Sequence, residues 1–236
     1  VTQISENYSA AGIMEAMHLS HIRGLIFDLD GTLIDSETDL INATNATLRK
    51  LGRPELPAGT ISGFIGHGAA RLVSRALGSS ADERQHAEAL QVFLRYYEAN
   101  KLENTVAYPG VTETLEKLWP MPMAVLTNKP ALPSRLILES LDLAKFFSAV
   151  YGGDSFASRK PDPMGAQQIL RQFAVLAPDA MLIGDSEVDV QTARNAGVLA
   201  ANVNYGFGIH DRSKYPADLY LDRLTELVPL LRSASS

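Results

Sequence analysis

Five short apolar runs, none alternating with polar residues, mark out this chain: Leu25-Ile26-Phe27, Met123-Ala124-Val125-Leu126, Ala149-Val150-Tyr151, Ala180-Met181-Leu182-Ile183 and Leu199 to Val203. A strand with one wet face alternates; a strand without alternation is buried on both faces, as in parallel sheets covered by helices. From Pro109-Gly110 onward, stretches of helical period separate these runs. They fall at Val111–Leu118, at Ser134–Leu141, between Lys160-Pro161 and Phe173, and after Asp189 as far as Gly197, a residue suited to a helix C-cap. Strand and helix in turn predict an α/β fold, a Rossmann-like doubly wound parallel sheet. A short strand at Leu219–Leu221 and a final helix close the pattern, and Ser233 to Ser236 are expected to fray.

Residues 36–105 read differently. Asp35 or Ser36 can cap a helix carrying Leu40, Ala43, Leu48 and Leu51, which stops near Gly52-Arg53-Pro54. A glycine-rich loop, Gly63-Phe64-Ile65-Gly66-His67-Gly68, precedes a helix bearing Leu72, Val73, Ala76 and Leu77. It lacks the Lys-Ser/Thr ending of a nucleotide P-loop, and no buried strand feeds it. A further helix over Asp82 to Asn100 is predicted to turn Ala87, Leu90, Leu94 and Tyr97 to one face. The expected organisation is a core of residues 21–35 and 106–236, a small helical domain inserted at 36–105, and an N-terminal extension over 1–20. The chain begins at Val1, so Met14 or Met17 are alternative starts.

The chemistry gathers where apolar runs end. Leu25-Ile26-Phe27 gives way to Asp28-Leu29-Asp30-Gly31-Thr32. In extended chain, residues two apart point the same way, so both carboxylates face one side. Such like charges call for a cation or for a proton on one of them. A calcium loop starting at Asp28 would need glycine at its sixth position and glutamate at its twelfth, where Leu33 and Asp39 stand. The run ending at Leu126 is followed by Thr127-Asn128-Lys129-Pro130, the one ending at Ile183 by Gly184-Asp185 with Asp189 beyond, and Lys160 precedes a helix. Parallel strands end at one sheet edge, so groups about a hundred residues apart can converge there.

Phe27-Asp28-Leu29-Asp30-Gly31-Thr32-Leu33, with Thr127, Lys160 and Asp185 in that order, resembles the four signatures of the haloacid dehalogenase superfamily, most of whose members are phosphatases. The resemblance spans nearly the whole core, and the inserted helices match the family's small cap. It implies that Asp28 attacks phosphorus to form an aspartyl-phosphate while Asp30 serves as general acid and base. It implies phosphate contacts from Gly31, Thr127, Asn128 and Lys160, and Mg2+ held by Asp28, the backbone carbonyl of Asp30, and Asp185. Asp189 would support Lys160 or a metal-bound water, or simply cap its helix. Ser186 and Glu187 carry no role in this reading. Dehalogenases of the superfamily usually lack the second aspartate, present here as Asp30. Phosphonate-cleaving members use a cap lysine, and sugar phosphomutases commonly carry valine where Thr32 stands.

Further segments, including Tyr108-Pro109-Gly110-Val111, Lys160-Pro161-Asp162-Pro163 and Asn204-Tyr205-Gly206-Phe207-Gly208, are similar to phosphoglycolate phosphatases. This implies 2-phosphoglycolate as substrate. The alternatives are another small phosphate ester, such as N-acetylmuramic acid 6-phosphate or a sugar phosphate, or transfer to a sugar hydroxyl by a phosphotransferase or mutase. His67 and Arg71 are candidate substrate contacts.

Composition narrows the partners. A net charge of −6 argues against a groove tracking nucleic acid, leaving a small-molecule phosphate ester as the expected partner. Cysteine is absent, which excludes thiolate metal sites. No stretch approaches the ~18 apolar residues of a membrane span, and no secretory signal stands in the first twenty residues, so a cytoplasmic protein is expected. Oligomeric state has no signature here.

Overall fold

The computed structural model describes residues 19–208 and 210–232. Met14, Met17 and the tail from Ser233 lie outside them. Among the described residues, six strands form one parallel sheet: β1 (Gly24–Phe27), β4 (Met123–Leu126), β5 (Ala149–Tyr151), β6 (Ala180–Gly184), β7 (Leu199–Val203) and β8 (Leu219–Leu221). Their spatial order is β5-β4-β1-β6-β7-β8, which puts β1 near the middle. Phe27 lies beside both Val125 and Ile183. The loops after β1, β4 and β6 therefore leave the sheet at one level.

Successive residues on these strands pack into different layers. Leu25, Phe27, Met123, Val125, Met181 and Ile183 join one apolar cluster with the helices α5 (Val111–Leu118), α6 (Ala131–Ser140) and α9 (Leu227–Arg232). Ile26, Ala124, Leu126 and Leu182 join the opposite cluster with α7 (Met164–Phe173) and α8 (Glu187–Ala196). Burial on both faces is why the strands never alternate. Leu19 and Ile22 are buried in the first cluster, so packing begins before residue 21. Gly197 ends α8 in the left-handed conformation, φ +74°, as its position suggests. Helix α6 begins at Ala131, three residues before its expected start, because Pro133 in a first turn has no N–H that the helix needs.

Between β1 and β3 (Val106–Ala107) lie α1 (Glu37–Lys50), α2 (Ala58–Ser62), α3 (Ala69–Leu77) and α4 (Glu83–Asn100), packed around their own apolar cluster. The short α2 falls in a stretch to which the sequence assigned no element. Asp82 caps α4, accepting the Gln85 amide at 2.8 Å while the Gln85 side chain accepts the Asp82 amide at 3.0 Å. The buried stripe of α4 is Ala89, Phe93 and Tyr97, with Leu90 and Leu94 half-buried and Ala87 exposed. The expected face is thus rotated: the stacked rings of Phe93 and Tyr97, 5.8 Å apart, supply the largest apolar area and set it.

The two connections between sheet and helices are tied to each other. β2 (Ile34–Asp35) pairs antiparallel with β3, and Asp39 accepts hydrogen bonds from Asn104 and Thr105 through both backbone amides and both side chains, at 2.7–3.1 Å. No helix among the described residues is long and apolar enough to cross a membrane.

Candidate active site

The loops after β1, β4 and β6 bring Asp28, Thr127 and Asp185 to one edge, as parallel register requires. Lys160 reaches in from the segment before α7. Its ammonium stands 2.9 Å from Asp28 Oδ1 and 2.6 Å from Asp189 Oδ1, and its side chain is only 2% exposed. Asp189 is already committed: its other oxygen accepts the Ser186 hydroxyl at 2.6 Å and the Ser186 amide at 3.2 Å. It therefore caps α8 and holds Lys160 at once, and Ser186, which had no role in the sequence, fixes it. Asp185 Oδ2 accepts the Gly208 amide at 2.7 Å.

Space around Asp185 explains two glycines. At Gly31, φ is +82° and an added Cβ would lie 2.0 Å from Asp185 Oδ2; at Gly206 it would lie 2.3 Å from Asp185 Cβ. The Gly31 amide donates to Ile34 O at 2.9 Å, so it is spent on its own turn. The absence of a side chain at Gly31 leaves room for Asp185. The Asn128 side-chain amide nitrogen donates to Gly66 O at 3.1 Å and Lys160 O at 3.2 Å, which straps the glycine-rich loop to the core. Thr127 is buried, and its hydroxyl accepts the Lys129 amide at 3.2 Å.

Electrostatics mark this edge. Burial pushes the Asp28 carboxyl up to about 7 against the pull of Lys160, with Asp189 adding to the rise. Asp185 is driven up by burial first, then by Asp189 and Asp28. Burial opposes the charge on Lys160, but Asp189 and Asp28 hold its pKa above the ordinary lysine value. Carboxylate oxygens of Asp28, Asp185 and Asp189 lie within 4.8 Å of one another. One ammonium cannot balance three carboxylates, and hard oxygen donors suit a hard cation. Asp189 already accepts three hydrogen bonds, so Asp28 and Asp185 have the most room to hold that cation.

Asp30 belongs to a second constellation. Its Oδ1 accepts the Ser36 hydroxyl at 2.6 Å and the Lys129 ammonium at 2.7 Å. Ser36 therefore does not cap α1; the Asp35 carboxylate accepts the Glu37 amide at 3.2 Å instead. The Lys129 ammonium lies 4.6 Å from the ring centroid of Tyr97, on α4. Burial pushes the Tyr97 phenol up to about 12. The sequence reading left Lys129 unassigned, although it directly follows Thr127-Asn128 at a strand end.

A cavity of about 80 Å³ opens over Asp28, Asp30 and Thr127, roofed by apolar side chains of the helices such as Leu40, Leu72 and Phe93. His67 and Arg71 line a second cavity, of about 360 Å³, with Asn128, Arg159, Lys160 and Glu187, so it adjoins the site at Lys160 and Asn128. Burial, Arg71 and Arg75 lower the His67 pKa.

A family profile described as haloacid dehalogenase-like hydrolase matches residues 25–203. A phosphoglycolate phosphatase of Pseudomonas savastanoi pv. phaseolicola is 40% identical over 215 residues, covering 87% of this chain and 78% of its own. The phosphoglycolate phosphatase of Chromobacterium violaceum is 36% identical over 227 residues, covering 92% and 100%. Among solved structures, a predicted phosphoglycolate phosphatase from Haemophilus somnus matches with a TM-score of 0.83 at 27% identity, covering 90% of this chain and 99% of that one. The chain belongs to the haloacid dehalogenase-like hydrolase family.

Proposed function

We propose that this hydrolase is a phosphoric monoester hydrolase that cleaves a small phosphomonoester, 2-phosphoglycolate first among candidates, by way of an aspartyl-phosphate on Asp28. The observation that carries the reading is the Lys160 ammonium clamped between Asp28 and Asp189 at the edge where Thr127 and Asp185 also stand. Phosphoryl transfer depends on positioning and charge neutralisation more than on covalent chemistry. Lys160 supplies a fixed positive charge beside the nucleophile, and the Thr127 hydroxyl a donor to a phosphoryl oxygen. Asp30 protonates the leaving oxygen and then takes a proton from the attacking water. Asp28, Asp185 and the backbone carbonyl of Asp30 would hold Mg2+, which supplies charge neutralisation between carboxylate and phosphate when bound. The helical domain acts as a cap that keeps water from the site.

Names carried by the relatives support phosphoglycolate. The test is phosphate release with Mg2+ from 2-phosphoglycolate, sugar phosphates and N-acetylmuramic acid 6-phosphate. Highest kcat/KM on phosphoglycolate is expected. A much faster sugar ester would overturn the substrate, and a phosphorylated sugar product would replace hydrolysis by transfer.

A further inference from the structure

Lys129 is a buried cation with no part in the reading above. Burying a lysine costs solvation and side-chain freedom, and a lysine in a core is rare without a partner. Its partner is Asp30, not the nucleophile, at 2.7 Å, with the two side chains 7% and 13% exposed. Burial opposes its charge, but Asp30 holds its pKa above the ordinary lysine value. Both donors to Asp30, Lys129 and Ser36, converge on the same oxygen, Oδ1. Oδ2 has no protein hydrogen-bond partner among the described residues, and Asp30 lines the cavity over Asp28. One oxygen is anchored and the other is left without a protein donor among the described residues.

We infer that Lys129 is a positioning residue for proton transfer at Asp30: it pins Oδ1 so that Oδ2 carries the proton to the leaving oxygen. Tyr97 is the second anchor of the same lysine, so the alignment of Asp30 depends on the helical domain being docked. The inference rests on the reading of Asp30 as the acid. In that step an Asp28 oxygen bonds to phosphorus as the ester P–O bond breaks. The electron pair stays on the leaving oxygen, which takes the Oδ2 proton. Lys129 keeps its own protons and faces the carboxylate that results.

The test compares two small esters by kcat/KM, which ends at the first irreversible step. One is the alkyl ester turned over best; the other is acetyl phosphate, whose acetate departs without a proton. Asp30→Asn serves as reference, and its loss is expected to be far greater on the alkyl ester. Lys129→Met should follow the same pattern, losing on the order of 10- to 100-fold on the alkyl ester and under about threefold on acetyl phosphate. Tyr97→Leu should move in the same direction by less, and ethylammonium should restore alkyl-ester turnover to Lys129→Ala. A poorly folded fraction lowers both esters equally, so it cannot imitate the difference. Equal losses in Lys129→Met, with Asp30→Asn still discriminating, would overturn the inference and leave the acid in place. Equal losses in Asp30→Asn would remove the acid and the inference together.

Discussion

Two lysines divide this site between them. Lys160 and Lys129 are both buried, and each pairs with one carboxylate of the Asp28-Leu29-Asp30 stretch. Both ionic partners of Lys160 come from the sheet domain: Asp28 directly after β1 and Asp189 from α8, with Ser186 behind it. Lys129 instead spans the boundary, with Asp30 on one side and Tyr97 of the inserted helices on the other. On the proposed mechanism, the ion pairs on the phosphoryl side lie within the sheet domain, whereas the leaving-group side draws on both the sheet and the inserted helices.

The largest effects should come from the Lys160 side. Asp28→Asn removes the proposed nucleophile and should lower phosphate release by at least about 10⁴-fold. Lys160→Met strands two buried carboxylates, so a loss near 10³-fold is expected. Chemical denaturation should show it less stable by roughly 3–5 kcal/mol. If this variant kept its activity, the two halves of the site would not differ as described.

The boundary should respond more mildly. Asp39→Ala leaves the Asn104 and Thr105 donors without their acceptor, and denaturant midpoints should report a loss of about 2–4 kcal/mol. The same variant should weaken alkyl-ester turnover more than acetyl phosphate turnover, because it loosens the strap that docks the helices over Lys129.

A smaller effect sharpens the electrostatic contrast. Asp28 titrates near 7 in the fold against an ordinary 3.8, so between those values the native state binds a proton that the unfolded chain has released. Stability from this group is therefore full below about 4 and falls as pH rises towards 7. In chelator, Asp28→Asn should gain melting temperature relative to the parent across that window, and Mg2+ should shrink the gap. A gap that stays flat from pH 4 to pH 7 would contradict the strained carboxylate.

The strands and the Lys160 side could be read from the chain because their causes are local. Doubly buried strands show as unbroken apolar runs, and the residue after each run must sit at the sheet edge. What escaped reading is made by tertiary contact. Lys129 looked like any lysine in a turn until α4 laid Tyr97 over it. Ser36 had the composition of a helix cap and serves Asp30 instead. The pairing of β2 with β3, two residues each, is too short to leave a periodic trace, and the grip of Asp39 reaches residues 65 positions away. The bond from the Gly31 amide into its own turn and the one from the Asn128 side chain to Gly66 were equally invisible, because each needs the folded loop beside it.

The central claim is that the phosphoryl group passes through Asp28, and trapping it there is the most direct test. Acid-quenched enzyme, sampled during turnover of the best ester with Mg2+, would be digested and its peptides weighed. The account predicts one phosphoryl group on the peptide carrying Asp28, absent from Asp28→Asn. Turnover persisting in Asp28→Asn, or label confined to a peptide without Asp28, would contradict it.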